Sequence, residues 1–187
     1  MTNEAKRKVV ETTRTLMQPQ GYNATGLNQI IKVSGTPKGS LYHYFPGGKE
    51  QLVSEAIEAS AKEMGAKIHR IFDQAESLNE ALAAFVDEGI QELEESGFER
   101  GCPIATVALE TTPGPVLDSC QMAFRAAIKL LEGRLLIEGF PAAQAESLAI
   151  FLFSSFEGAL VVSKTQRDTT PLRTLKQILP AVLKPSR

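Results

Sequence analysis

The chain has 187 residues, of which 43% are hydrophobic and 22% are charged, and its formal net charge is −2. This length suits one large domain or a small domain joined to a larger one, and the composition is that of a globular protein, not a disordered one. The polar N-terminus, MTNEAKRKVVE, does not have the apolar core of a signal peptide. Uninterrupted apolar runs are too short to cross a bilayer, so the sequence predicts a cytoplasmic protein with no membrane span.

The charges are unevenly distributed along the chain. Residues 1–50 contain seven lysines and arginines and three acids, whereas residues 51–187 contain 13 basic and 19 acidic residues. A basic N-terminal part on an acidic body is typical of a polyanion-binding module on a larger scaffold. The alternative is that so few charges are unevenly distributed by chance, so this asymmetry alone does not decide the function.

Enzymatic and metal chemistry have little support in the sequence. Cys102 and Cys120 fit no metal-binding spacing and form no disulfide framework, so we expect both to be reduced. A di-metal helical bundle needs histidines three residues after a glutamate, and neither His43 nor His69 has an acid at that position. We therefore expect no catalytic residues, no metal and no cofactor.

The first three predicted helices are short and basic, and prolines, glycines and hydroxyl side chains mark their ends. Their expected bounds are residues 3–18, 26–33 and 37–45. Pro19 and Gly21 should end the first helix, while Thr25 and Thr36 are candidates to cap the second and third.

The remaining chain is also helical in pattern, which gives about nine helices and an all-α fold. Ser77 and Glu80 have the spacing of a capping box at the start of the fifth helix. The other predicted helices cover about residues 49–74, 103–110, 116–138 and 142–167, with a last one ending near 183. The sequence predicts a three-helix N-terminal domain over 1–50 and a larger helical bundle over 51–187.

The second and third helices have the signature of a helix-turn-helix. TGLNQIIKV, SGT and PKGSLYHYF supply a short helix, a tight turn with glycine and a second short helix, which in such motifs enters the major groove of DNA. Leu41 and Phe45 are spaced to anchor that helix in the core. Alternatives stay open for single residues: Tyr42 or Tyr44 could be a core aromatic, and His43 an ordinary surface residue. The PGGK stretch lacks the spacing and the preceding strand of a phosphate-binding loop.

The stretch GYNATGLNQIIKVSGTPKGSLYHYFPGGKEQL resembles the tetracycline-repressor (TetR) family, and GCPIATVALE is similar to its LmrA/YxaF-like subgroup. The departures are Ile31 for a common alanine, Pro37 for a usual serine and one extra residue in PGGK. The resemblance implies a homodimer that binds double-stranded DNA and a small effector. It implies phosphate contacts by Thr25, Tyr42 and Lys49. It implies base or backbone contacts by Lys38, Gly39, Ser40, His43 and Tyr44.

The segment LAIFLFSSFEGALVVSK is apolar almost all round, with Ser154, Ser155 and Gly158 as small residues. A helix with two apolar faces needs two partners, and a second subunit in a four-helix bundle can be one of them. The alternative is a central helix in a monomer.

An effector pocket is expected in the C-terminal bundle. The candidate residues are Phe98, Cys102, Thr106, Glu110, Phe124 and Ser155. Cys102, Thr106 and Glu110 lie four residues apart on one helical face, although capping, core packing or a solvated face explains each of them equally well. The predicted function is a ligand-responsive repressor of a near-palindromic operator, released by a small hydrophobic or aromatic effector. The alternative is a constitutive DNA-binding regulator without an effector.

Overall fold

The computed structural model describes residues 2–183, and this range contains nine α-helices and no strand. The all-α prediction and the number of helices are therefore confirmed. The helices are α1 (Thr2–Ala24), α2 (Leu27–Ser34), α3 (Lys38–Tyr44), α4 (Gly48–Gln74), α5 (Leu78–Glu95), α6 (Pro103–Glu110), α7 (Pro115–Ile137), α8 (Ala142–Gln166) and α9 (Thr170–Val182).

The helices form two compact units. Unit 1 comprises Met1–Lys62 and Cys102–Phe124, and unit 2 comprises Glu63–Gly101 and Arg125–Arg187. The division falls inside α4 and inside α7, and α6 belongs to the unit of the N-terminal helices, where it packs against α1. The predicted domains over 1–50 and 51–187 are defined by function and stay a prediction.

The core of unit 1 holds the first four helices together. Five side chains from α1 to α4 are fully buried against one another: Val9, Ile30, Leu41, Phe45 and Leu52. The ammonium of Lys6 lies 5.4 Å from the centre of the Phe45 ring and 2.8 Å from the Glu55 carboxylate. The predicted anchoring of α3 through Leu41 and Phe45 is thus confirmed.

The first helix extends further than predicted. Pro19 lies within α1, and the helical conformation is interrupted only at Gly21, whose φ is +77°. Proline removes one hydrogen bond near the end of a helix, but a left-handed φ ends the right-handed path altogether. The prediction that Pro19 stops the helix was wrong, and the break belongs to Gly21.

Two predicted helix caps were also wrong. Gly26 is the N-cap of α2, and the Thr25 hydroxyl instead donates a 2.7 Å hydrogen bond back to the Gly21 carbonyl. Pro37 is the N-cap of α3, while the amide of Thr36 donates to the Ser34 hydroxyl at 3.2 Å. Both threonines are close in sequence to a helix start, but the hydrogen bonds that they donate go to the preceding segment.

In unit 2 the predicted Ser77 cap is confirmed at the start of α5, although the Glu80 carboxylate reaches the amide of Glu76 and not that of the N-cap residue, as a full capping box requires. The Ser77 hydroxyl accepts a hydrogen bond from the Glu80 amide at 3.2 Å, and the Glu80 carboxylate accepts from the Glu76 amide at 2.9 Å. Helix α9 is tied to α5 by an ion pair between Arg173 and Glu94 at 3.3 Å. These contacts add to the apolar packing of α5, α8 and α9.

Both cysteines are present as thiols. Cys102 is half-buried at the start of α6, and Cys120 is 1% exposed in α7. Burial raises the pKa of the Cys120 thiol to about 11.

Helix α8 is long and apolar enough to cross a membrane by length and composition alone, since an 18-residue window of it has a mean hydropathy of 1.6. A single helix of this kind is weak evidence, because helices in soluble proteins pass the same test. No other described helix meets it.

Candidate nucleic-acid interface

The turn between α2 and α3 is built around Gly35. Its φ is +67°, and its amide donates a 3.0 Å hydrogen bond to the Ile31 carbonyl, which closes α2. This left-handed conformation favours glycine because other residues carry a Cβ that clashes there. The turn then leads to α3, as in the predicted helix-turn-helix.

Helix α3 has one buried face and one exposed face. Leu41 and the following Phe45 are fully buried, whereas Tyr42 is 45% exposed. The other exposed residues of α3 are Lys38, Gly39 and His43. Ser40 and Tyr44 are half-buried, and the Tyr44 ring meets His43 and Phe45 edge to face. Most of the predicted base-contacting residues therefore share one accessible surface.

Gly39 has no packing role within the described part of the chain. A Cβ built at this position would meet nothing within 4 Å, and its backbone is not left-handed. Glycine inside a helix costs about 1 kcal/mol relative to alanine. The open space at Gly39 leaves room for another molecule to approach the α3 backbone closely.

Lys49, at the start of α4, is held beside the turn that follows the break in α1. Its ammonium donates a 2.7 Å hydrogen bond to the Tyr22 carbonyl and lies 4.1 Å from the centre of the Tyr22 ring. Burial lowers the pKa of Lys49, and the negative charge of Glu110 opposes that change. An ammonium has three donors, so Lys49 retains capacity for a phosphate oxygen.

Thr25 is fully buried, unlike the predicted DNA-contacting residues of α3. Besides donating to Gly21, its hydroxyl accepts a 2.9 Å hydrogen bond from the Gln20 side chain, which also donates to Gln29 at 2.8 Å. This amide pair was not predicted, because its two glutamines lie nine positions apart and no local pattern links them. The predicted phosphate contact of Thr25 stays a prediction.

The predicted effector residues are divided between the two units. Cys102, Thr106, Glu110 and Phe124 belong to unit 1, while Phe98 and Ser155 are half-buried in unit 2. Cys102 caps α6, since its sulfur accepts from the Ala105 amide at 3.4 Å, and the Thr106 hydroxyl donates to the Cys102 carbonyl at 3.0 Å. The Glu110 carboxylate accepts from the Asn23 amide at 2.8 Å. Their effector role stays a prediction.

Unit 2 contains an apolar cavity of about 30 Å³, room for roughly one water molecule. Four phenylalanines contribute to its wall: Phe72, Phe85, Phe153 and Phe156. The rings of Phe85 and Phe156 pack together with centres 4.7 Å apart. None of the six predicted effector residues lines this cavity, because its wall comes from core positions that have no distinctive sequence pattern.

An exposed apolar stripe runs along α8. Ile150, Phe151, Val161 and Val162 are each 43–48% exposed. The exposed residues between them are Ser154 and Gly158, and Thr165 follows one turn after Val161, so the exposed side chains from Ile150 to Thr165 carry no charge, whereas Glu146, one turn before Ile150, is exposed. A Cβ at Gly158 would meet nothing within 4 Å among the described residues, so this glycine also fills no internal packing role. The stripe is defined by the seven exposed residues from Ile150 to Thr165.

Replacing Tyr42 with phenylalanine is expected to weaken binding to specific and random DNA alike, by about fivefold, because one hydroxyl contact to phosphate is lost. Fluorescence anisotropy with labelled duplexes measures both affinities. Thr15→Val is the control: it removes one exposed hydroxyl from α1 of unit 1 and should leave both affinities unchanged. Equal losses in the two variants would contradict a direct contact by Tyr42.

Two family models match the chain. Residues 9–56 match "Bacterial regulatory proteins, tetR family", and residues 79–178 match "Transcriptional regulator LmrA/YxaF-like, C-terminal domain". Together these matches cover the helix-turn-helix and most of the later helices.

The chain is similar over nearly its whole length to regulators of Bacillus subtilis. It is 33% identical to the helix-turn-helix transcriptional regulator YxaF, with 97% of this chain and 96% of YxaF covered. It is also 33% identical to the regulator LmrA, with 97% of both chains covered. The solved reduced form of Escherichia coli NemR has the same fold, with a TM-score of 0.88 at 19% identity over 98% of both chains.

Proposed function

Because this chain belongs to the TetR family of bacterial transcriptional regulators, we propose that it is a cytoplasmic, ligand-responsive repressor. In this proposal a homodimer binds a near-palindromic DNA operator and leaves it when a small hydrophobic or aromatic effector binds. The matched families confirm the predicted family and LmrA/YxaF-like subgroup, and they are DNA-binding regulators, not enzymes.

The single observation that carries the DNA-binding mode is the accessible face of α3 around Gly39. A helix that is short, anchored by two buried side chains and lined outward by lysine, glycine, tyrosine and histidine suits insertion into the major groove. The side chains supply donors for phosphates and base edges, and the missing Cβ lets the backbone approach closely.

The uncharged stripe on α8 supports the dimer. Large apolar side chains half-exposed along one helix face are costly in water, and burial against a second copy removes that cost. Gly158 lets two helix backbones come close at the middle of the stripe. A two-fold dimer also supplies a second α3 for the other half of a palindromic site.

The apolar cavity of unit 2 supports an effector without charge. Its present volume of about 30 Å³ is far below that of a drug-sized site, so an effector must push the surrounding phenylalanines apart. An effector that binds only the opened form shifts the protein toward that form. By linkage, DNA then weakens effector binding by the same factor as the effector weakens DNA binding.

The small cavity also favours a second candidate function, a constitutive regulator without an effector. In that case the phenylalanine-lined core of unit 2 is simply well packed, and DNA binding does not respond to small molecules. The two functions differ in one measurable property, release from DNA.

Binding to the DNA that flanks the coding region, measured over a salt series, tests the proposal. Tight, salt-sensitive and sequence-dependent binding is expected, because contacts to phosphate release counterions. The same assay with a panel of uncharged aromatic compounds tests the effector. Release by one compound supports the ligand-responsive repressor, while unchanged binding with every compound supports the constitutive regulator. Binding no tighter than to random DNA contradicts operator recognition at that site.

A further inference from the structure

The turn after the break in α1 is held by residues from two distant parts of the chain. We call residues 21–24 this turn: they are the last turn of α1, beyond its break at Gly21, and they lead directly into the helix-turn-helix. Lys49 of α4 donates to the carbonyl of Tyr22, and Glu110 of α6 accepts from the amide of Asn23 at 2.8 Å. All of these residues belong to unit 1.

The position of Glu110 is unfavourable for α6 itself. It is the last residue of that helix, where the partial negative charge of the helix dipole disfavours a carboxylate. Its side chain is exposed, and the neighbouring Leu109 is 83% exposed, so neither residue adds to the core. Glu110 therefore has a role outside α6, and its carboxylate forms its hydrogen bond with the turn at residues 21–24.

Gly21 shows that the carboxylate fits closely against this turn. A Cβ at Gly21 would overlap the carboxylate of Glu110, so only glycine permits the observed approach. The same glycine has a φ of +77°, which starts the turn and directs the chain away from α1. The negative charge of Glu110 also favours the charged form of Lys49, the other residue that holds the turn.

We propose that Glu110 is a positioning residue for operator binding, which holds the 21–24 turn so that α2 and α3 keep the geometry that fits the major groove. The proposal rests on the DNA-binding function but not on an effector. Glu110 acts through the Asn23 amide and not by touching DNA, so its hydrogen-bonding capacity matters more than its charge.

Glu110→Ala and Glu110→Gln separate these two properties. Alanine removes the acceptor, and operator affinity is expected to fall by about tenfold, with a melting temperature that changes by no more than about 2 °C. Glutamine keeps an oxygen that can accept from the Asn23 amide and should restore affinity to within about twofold of wild type. Glu58→Ala, which removes an exposed carboxylate from α4 of the same unit, controls for charge and should have no effect.

The probe is a duplex selected from a random library by the wild-type protein, and affinity is measured by anisotropy. Hydrogen exchange of the peptide containing Asn23 provides a second readout without DNA, and it should be faster only in Glu110→Ala. Wild-type affinity together with unchanged exchange in Glu110→Ala would overturn the proposal, as would equal losses in the alanine and glutamine variants. Selection of no sequence by the wild type would instead overturn operator recognition itself, while faster exchange in Glu110→Ala would still support the hold on the turn.

Discussion

Replacing Phe151 with glutamate is expected to convert the proposed dimer into monomers and to weaken operator binding by about 100-fold or more. Phe151 is 46% exposed near the N-terminal end of the uncharged α8 stripe, so the substitution leaves the core of the subunit intact. In a two-fold interface the new carboxylate occurs twice, and each copy has to be buried without a partner. Operator affinity falls because linking two binding modules multiplies their affinities through effective concentration.

Sedimentation velocity measures the oligomeric state, and anisotropy with a full palindrome and a half-site measures the DNA affinity. Ala66→Glu is the matched control, because it adds the same charge at an exposed position of α4 in unit 2. We expect this control to remain dimeric and to bind the full palindrome as wild type does. A Phe151→Glu protein that sediments as a dimer would exclude the stripe as the subunit interface.

Replacing Phe45 with alanine is expected to destabilise unit 1 by about 3–5 kcal/mol, the usual cost of truncating a buried aromatic side chain. Phe45 is fully buried in the cluster that joins α1 to α4. It also carries the ring contacts to Lys6 and Tyr44. Because α3 is only seven residues long, it depends on this cluster and not on its own helix propensity.

Urea unfolding gives the change in free energy, and hydrogen exchange of α2 and α3 locates it. Tyr42→Ala is the comparison, since it truncates an aromatic side chain from the exposed face of the same helix. That variant should lose DNA affinity but less than about 1 kcal/mol of stability. A Phe45→Ala protein as stable as Tyr42→Ala would show that the cluster does not anchor α3.

The parts of the fold that the sequence predicted correctly depend on local signals. The Gly35 turn, the four-residue spacing of Leu41 and Phe45, and the Ser77 cap each involve neighbours within a few positions. The two wrong caps show the limit of such signals. Thr25 and Thr36 have the residue type of an N-cap, but their actual hydrogen bonds depend on where the preceding segment turns, and that is set by Gly21 and Ser34.

The features that the sequence could not predict join residues far apart in the chain. Asn23 and Glu110 are 87 positions apart, and neither residue type indicates the other. Glu110 was recognised only as part of a helical face, for which effector binding and a solvated surface were equally good explanations. The phenylalanine-lined cavity likewise depends on which core faces of five helices meet, and the helical spacing of apolar residues does not specify that.

The buried thiol of Cys120 can be used to detect local opening of α7. With a pKa of about 11, only about one Cys120 in a thousand is a thiolate at pH 8, and its sulfur is enclosed as well. Alkylation therefore has to wait for α7 to open locally, whereas the half-buried Cys102 is expected to react sooner. The two alkylation rates can be measured by mass spectrometry on the wild-type chain. Their ratio then shows how often α7 opens locally, with and without DNA.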